Sequence, residues 1–295
     1  MTPSSKSIDI EAQLVQRIRD VPSLPSVVDH ILSLMSKPDT PASRISDLIA
    51  FDPGLTSKVL RMVNSAAYGV QRHISSIQHG IMILGFNTVR GIVLSASVLK
   101  LFDGKSHPGG LDHEAFWWHS TSTALAAQTI AKEKKLPIHE DAFTAGMLHD
   151  IGKLVLDVYF PQQYLPILEQ APLHHGAEFY LLEMEKLHTN HSLVGARLGE
   201  KWKLPNNIIE VIAHHHQPSL ALENTMLVHV VSLANDFARL AIYNAGLFSF
   251  SALRQESLEY LGINEDEADQ LFRLSLESFG EVDQLFGNDE SKNHQ

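Results

Sequence analysis

The residues best suited to chemistry are a histidine and an aspartate that are adjacent in the chain. His149 and Asp150 follow the small and apolar segment AFTAGML and precede Ile151-Gly152-Lys153. Imidazole and carboxylate groups together suit iron, manganese or zinc. Neighbouring helical residues point about 100° apart, so both side chains reach one ion only near a helix end, or if one of them reaches around the helix.

Further histidines and one more aspartate lie in predicted helices that can bring them to the same centre. His119 lies in WWHSTSTALAAQTIA, whose small residues allow close helix packing, and His191 opens HSLVGARLGEKW. Helical bundles build metal sites by sending one or two ligands from each of several helices. The sequence therefore predicts one or two divalent ions (Fe, Mn or Zn), with candidate ligands His119, His149, Asp150, His191, Asp236 and two neighbours of the triplet 214–216.

Each of these assignments has a structural alternative. His119 could be a residue of a helix interface, and the His149-Asp150 pair could be a hydrogen-bonded helix end. Only two neighbours of the triplet 214–216 can point at one site, so at least one is expected in solvent or behind the ligands. Asp236 lies in the apolar run LVHVVSLANDFARL. Because an unpaired buried charge is costly, its partner is a metal, an arginine or a histidine.

Start and stop signals predict helices throughout the chain. Thr40-Pro41 and Asp52-Pro53 each resemble a cap followed by a first-turn proline, and Leu84-Gly85 resembles a helix end. The run NTVRGIVLSASVLKLF is apolar on nearly all sides, which predicts a buried helix. After a break at 105–112, helical patterns cover 114–134, 139–159, 161–170, 177–186, 191–203, 205–215 and 222–243. No alternating strand pattern is present, so we predict an all-α, multi-helix bundle.

Composition narrows the class of protein. The net charge of −11 disfavours non-specific nucleic-acid binding, which draws on a basic surface. The absence of cysteine excludes disulfides and thiolate ligands. No long uncharged apolar stretch and no signal peptide are recognisable, so we expect a cytoplasmic protein that does not contact a membrane.

The order His119, His149-Asp150, Asp236 resembles the HD superfamily of metal-dependent phosphohydrolases. His191 and His215-His216 resemble the additional ligands of the HD-GYP cyclic-di-GMP phosphodiesterases. Two departures argue against cyclic-di-GMP hydrolysis. The segment QPSLALEN follows His216 in place of a Gly-Tyr-Pro signature, and Ala115 stands where the family has a glutamate one turn before the first histidine.

The N-terminal hundred residues resemble the HDOD subfamily, and the likeness runs from about Val21 to Gln217. It rests on PSLPSVVDHILSLMS, LIAFDPGLTSKVLRMVNSAAYG and ISSIQHGIMILGFNTVRGIVL. The matching pattern positions are Asp52-Pro53, Leu55, Leu60, Asn64-Ser65, Tyr68, Ile77 and Leu84-Gly85. The resemblance implies a lead at 1–20, an N-terminal helical half at 21–105 and an HD-like helical half at 111–243. Beyond these we expect acidic C-terminal helices at 251–286 and a frayed tail at 287–295.

The resemblance implies two functions. The first, which the sequence favours, is a bacterial signal-transduction module that acts through signalling proteins, either without a ligand or with a metal or a nucleotide bound for sensing. The second is a phosphohydrolase acting on a nucleotide or cyclic-nucleotide phosphoester, so enzymatic activity stays open. In the second case bound ions lower the pKa of a water, and the catalytic residues are Asp150, as a bridge between two ions, and Lys153. Lys153 either steadies a phosphoryl oxygen or is a solvated residue near a helix C-terminus.

Overall fold

The computed structural model of the chain describes residues 17–35, 37, 39–64, 73–102, 104–105, 107–170, 177–243 and 247–286. Within these ranges the regular structure is helical and contains no strand, so the all-α prediction is confirmed. Ser65, Tyr68, the tail at 287–295 and most of the lead at 1–20 lie outside the described residues.

The first five helices follow the predicted start and stop signals, with one exception. They are α1 (Ser26–Met35), α2 (Ala42–Ala50), α3 (Pro53–Val63), α4 (Ile77–Leu84) and α5 (Phe86–Phe102). Asp52 Oδ1 accepts from the backbone N–H of Leu55 at 3.0 Å and so caps α3. The predicted capping role of Thr40 is wrong, because its hydroxyl donates back to the carbonyl of Leu34 at 2.7 Å.

Asn64 ends α3, and its side chain hydrogen-bonds to the backbone of Leu60 within that helix and of Ile74 just before α4. Its side-chain amide donates to the carbonyls of Leu60, at 2.8 Å, and Ile74, at 2.7 Å. Its Oδ1 accepts from the backbone N–H of Ile74 at 2.6 Å. Asn64 therefore closes the end of α3 and ties it to Ile74.

The second half continues with α6 (His113–Glu133), α7 (His139–Leu148), α8 (Ile151–Tyr159), α9 (Pro161–Leu168), α10 (Ala177–Leu187), α11 (His191–Lys201), α12 (Asn206–His214) and α13 (Thr225–Tyr243). Helices α14 (Gln255–Leu261) and α15 (Glu265–Phe286) follow in the acidic C-terminal stretch. The helical pattern predicted over 139–159 proves to be two helices, interrupted at His149-Asp150. This interruption generates the site described below.

Helix α6 lies at the centre of the second half and packs against α7, α13 and α15. Small residues make the contact with α7 close: a methyl group added at Gly146 would lie 2.6 Å from Ala124 Cα. Helix α5 approaches α7 as tightly, since a methyl group at Gly91 would lie 2.2 Å from Thr144 Oγ1. Both halves of the chain therefore pack closely against α7, the helix that ends at the His-Asp pair.

Helix α13 is a core helix of this bundle. Its stretch Thr225–Ile242 is, within the described ranges, the one helical stretch that is long and apolar enough to cross a membrane. In the structure 72% of that stretch is buried inside the protein, so it forms part of the core of the bundle.

Gly152 allows α8 to touch the start of α11, and we predict that Gly152→Ala destabilises the fold. The added methyl group would lie 1.9 Å from the carbonyl oxygen of His191 and 2.7 Å from the backbone nitrogen of Gly195. We expect the free energy of unfolding to fall by about 2 kcal/mol or more, measured by denaturant unfolding. Gly280→Ala is the matched control, because nothing lies within 4 Å of its added methyl group. Equal stability of the two variants would contradict the proposed close contact between α8 and the start of α11.

Candidate metal centre

The site begins at the break between α7 and α8. His149 keeps helical angles (φ −53, ψ −34), whereas Asp150 leaves them (φ −103, ψ 9) before α8 starts. This change of direction brings the two neighbouring side chains to one point, with His149 Nε2 3.3 Å from Asp150 Oδ2. The pair thus lies at a helix end, as a shared ion requires.

Two histidines face one oxygen of Asp150 and a third lies beside them, and we call Asp150, His191, His215 and His216 the Oδ1 group. His191 Nε2 lies 3.2 Å from Asp150 Oδ1, and His215 Nε2 lies 3.5 Å from it. His191 Nε2 is also 3.4 Å from His215 Nε2 and 3.0 Å from His216 Nε2. All four residues are buried.

The other oxygen faces a second set, and we call His119, His149 and Asp150 the Oδ2 group. His119 Nε2 lies 3.5 Å from Asp150 Oδ2. The ammonium of Lys153, one turn along α8, donates to the same oxygen at 2.6 Å. Asp150 therefore joins two sets of nitrogen atoms through its two oxygens.

These donor sets fit a divalent transition-metal ion. Within each group the donor atoms lie no more than 4.8 Å apart. A tetrahedral ion with bonds of about 2.0–2.2 Å holds its ligand atoms about 3.3–3.6 Å apart, and the nitrogen–oxygen distances above are similar. In addition, Asp150 Oδ1 and His149 Nε2 are buried without a hydrogen-bond partner among the described residues. Buried polar atoms normally have one, so these atoms fit a metal site.

On the side of the ring away from Asp150, the Nδ1 atoms of His149 and His215 contact backbone carbonyls. His149 Nδ1 lies 2.7 Å from the carbonyl of Gly146, and His215 Nδ1 lies 3.0 Å from that of Ile212. A carbonyl only accepts, so each Nδ1 carries the proton and each Nε2 is free to bind an ion. Metal-binding histidines usually have such partners.

His191 has a carboxylate behind it instead of a carbonyl. Its Nδ1 lies 2.5 Å from Glu183 Oε2, which also accepts from the backbone N–H of His191 at 2.9 Å. Glu183 Oε1 accepts from the hydroxyl of Tyr164 at 2.9 Å. Sequence reasoning missed Glu183, because a glutamate in AEFYLLEMEKL looks like one of several exposed acidic residues. Only its full burial in the folded chain distinguishes it.

Burial sets the protonation of most of these histidines. It lowers the pKa of His215 to about 3 and lowers those of His119 and His216 well below the usual value. At neutral pH these three rings are therefore uncharged, which is the form that binds a metal. Burial alone would also lower the pKa of His191, but the carboxylates of Glu183 and Asp150 outweigh it and raise that pKa.

The structure does not bring Asp236 into either group. Its Oδ1 accepts from the guanidinium of Arg239 at 2.9 Å, and its Oδ2 accepts from the backbone N–H of Arg254 at 2.8 Å. The guanidinium of Arg254 in turn donates to the carbonyl of His216. Of the partners that the sequence allowed for Asp236, the arginine is the one observed. Burial raises the pKa of Asp236, against the opposing charges of Arg254 and Arg239.

Within the triplet, His215 and His216 are buried and face the site, whereas His214 is only half-buried and belongs to neither group. His229 had no assigned role and contacts Ser257 at 3.0 Å, away from both groups. His174 and His175 lie outside the described residues.

A cavity of about 230 Å³ opens over the two groups. Its floor includes His119, Asp150 and His216, and Lys153 and Arg239 add positive charge to its wall. The rest of the wall is mostly apolar and is formed by Leu111, Ala115, Phe116, Leu168, Phe179 and Ile242, with Asp112, His191 and Asn235 completing it. A molecule placed here would touch both Asp150 with its histidines and apolar side chains.

A model of the HDOD domain family matches residues 21–218. The chain belongs to the HDOD family. An HDOD domain protein from Geobacter sulfurreducens has a similar structure, with a TM-score of 0.75 and 22% identity, over 94% of this chain and 99% of that one. A phosphohydrolase candidate from Shewanella amazonensis gives a TM-score of 0.73 and 25% identity, over 93% of this chain and 98% of that one.

An uncharacterized protein of Treponema pallidum is 23% identical over 95% of this HDOD chain. The chain spans about half of that relative's length, 53%.

We predict that Asp150→Ala abolishes metal binding, whereas Asp236→Asn retains it. Asp150 supplies an oxygen to both groups, but Asp236 contacts Arg239 and the backbone of Arg254. Loss of that charge in Asp236→Asn should instead lower the free energy of unfolding by about 1–3 kcal/mol. Metal content after purification without chelator, together with thermal unfolding, measures both effects. Loss of metal in Asp236→Asn would restore Asp236 to the ligand set.

Proposed function

We propose that this HDOD protein is a metal-dependent phosphohydrolase that binds a phosphoester in the cavity over Asp150. The observation that carries the proposal is the convergence of two histidine sets, buried except for the partly exposed His119, on the two oxygens of one aspartate, beneath an open cavity. A domain kept only as a structural descendant of a hydrolase has no need for this arrangement. Buried nitrogen and oxygen atoms that lack hydrogen-bond partners cost stability unless they bind something.

A divalent ion supplies the chemistry that amino acids lack, since it lowers the pKa of a water and polarises a phosphoryl oxygen. Asp150 and the histidines would hold the ion. The side chain of Lys153 is 20% exposed and lines the cavity. Its ammonium can orient a phosphoryl oxygen there as a point charge. Arg239 adds a second cation to the same wall.

The apolar part of the cavity favours a phosphoester whose organic part is flat or apolar. Phe116 and Phe179 line it together with the charged groups, and the Phe179 ring lies 5.6 Å from the Lys153 ammonium. A nucleotide or cyclic-nucleotide phosphoester has this combination of a charged group and an aromatic ring. The phosphohydrolase candidate from Shewanella amazonensis, with its similar structure, supports the same reaction class. The missing Gly-Tyr-Pro signature and the alanine at position 115 remain departures from the HD-GYP enzymes.

The test is hydrolysis of 4-nitrophenyl phosphate and bis(4-nitrophenyl) phosphate in the presence of Mn²⁺. We expect turnover by the wild type, none above the buffer blank for Asp150→Ala, and a fall of about 10–100-fold in kcat/KM for Lys153→Ala. Lys186→Ala, a change at an exposed lysine of α10, should leave the rate unchanged. Hydrolysis that persists in Asp150→Ala would assign the activity to another site or a contaminant.

A second candidate function, regulation through signalling proteins, is favoured by exposed apolar residues in the N-terminal half. Phe51 is 80% exposed, Met82 68% and Ile83 44%. Phe51 follows α2, and the other two lie in the last turn of α4, which packs against α2. Exposed apolar groups that lie together often mark a protein interface.

We predict that Met82→Glu weakens capture of a protein partner and leaves metal content unchanged, because α4 lies in the half that holds no residue of either metal group. Photo-crosslinking from a probe at position 83 measures capture, and Asp150→Ala is the complementary variant. If Asp150→Ala lost the crosslink and Met82→Glu kept it, the interface would lie at the metal centre instead.

A further inference from the structure

The two metal groups are not equivalent, and the difference starts with Lys153. Its ammonium lies 2.6 Å from Asp150 Oδ2 and 5.6 Å from the centre of the Phe179 ring. The Oδ1 oxygen has no hydrogen-bond partner among the described residues. An ion that binds Oδ2 therefore meets the charge of the Lys153 ammonium, whereas Oδ1 is surrounded by imidazole rings, which release their proton to a metal far more readily than a lysine does. Like charges at this distance repel strongly in a buried site.

The number of ligands and their burial also differ between the two groups, and both favour the Oδ1 group. The Oδ1 group offers three histidines besides Asp150, and the Oδ2 group offers two. The side chains of His149, His191 and His215 are 0% exposed and His216 is 7% exposed, so the most exposed ligand is His119 of the Oδ2 group, at 13%. More ligands and less competing water both favour binding to the Oδ1 group.

Glu183 adds a third difference between the Oδ1 group and the Oδ2 group. It is fully buried, and its hydrogen bonds come from His191 and the hydroxyl of Tyr164. Neither of these groups is a permanent cation, and a buried carboxylate requires compensation of its charge. A divalent ion on the far side of the His191 ring supplies that charge. At the same time, Glu183 fixes the ring with its proton on Nδ1 and Nε2 turned toward Asp150. The histidines of the Oδ2 group have no described carboxylate behind them.

We propose that the protein binds one divalent ion tightly at the Oδ1 group, with Glu183 as a positioning residue for His191, while Lys153 occupies the Oδ2 side in place of a second ion. A second ion binds only weakly and must displace the Lys153 ammonium from Oδ2. This inference rests on the proposed metal centre, but it concerns binding alone and requires no turnover.

The test is a titration of the chelator-stripped full chain with Mn²⁺, in which electron paramagnetic resonance measures the free ion. The wild type should bind one ion tightly and a second far more weakly. Lys153→Met keeps an unbranched side chain, one atom shorter, and removes its charge, so it should strengthen the second step about tenfold or more and strengthen the first step by a smaller factor. Lys186→Met is the control for the same change at an exposed lysine.

Glu183→Gln should weaken the first step by about 10–100-fold, the usual effect of losing a partner behind a ligand, and leave the second step unchanged. Tyr164→Phe removes only the hydroxyl that donates to Glu183 and should weaken the first step by a smaller factor. Glu185→Gln, two residues away on the exposed side of α10, should change neither step. Thermal unfolding identifies any variant whose fold is lost, and Lys153→Met tests the proposal without disturbing the core.

Two ions of equal affinity in the wild type, or an unchanged second step in Lys153→Met, would overturn the inference. Phosphoesterase assays in excess Mn²⁺ keep the two proposals apart. Stepwise binding without hydrolysis would leave this inference standing and refute the proposed function, and hydrolysis without stepwise binding would do the reverse.

Discussion

The structure depends on one buried carboxylate, that of Asp150. A carboxylate in the interior costs several kcal/mol unless positive charge or donors surround it. Here the chain leaves the helical conformation at this residue, and α6, α11 and the end of α12 bring histidines to both oxygens. Burial raises the pKa of Asp150, but His149, Lys153 and His191 outweigh it and hold that pKa well below its usual range. The aspartate thus stays ionised and ready to bind a cation.

The packing around this carboxylate follows from the need to bring histidines from several helices to it. Imidazole rings on different helices reach one carboxylate only if those helices approach closely. Glycines provide the space, at Gly146 between α7 and α6 and at Gly152 between α8 and α11. Such contacts tolerate no added methyl group. The geometry of the site and the stability of the fold are therefore determined at the same positions.

The sequence predicted much of this because helix signals and ligand types are local properties. The Asp52-Pro53 cap and the helix end at Leu84-Gly85 are observed as predicted. Of the predicted ligands, His119, His149, Asp150, His191, His215 and His216 come together, while Asp236 does not. The neighbours of Asp236 could not be read from the sequence, since Arg254 approaches it only through the tertiary fold. Glu183 was missed for the same reason, because spacing along a helix does not reveal which acidic residue is buried.

The most direct test of the central claim is anomalous diffraction from crystals soaked in limiting Mn²⁺. The account predicts one peak bonded to Asp150 Oδ1 and to Nε2 of His191 and His215, at bond lengths of about 2.0–2.2 Å. A peak on Asp236, or no peak near Asp150 at any Mn²⁺ concentration, would contradict it. The histidine cluster would then be a structural feature of the bundle core.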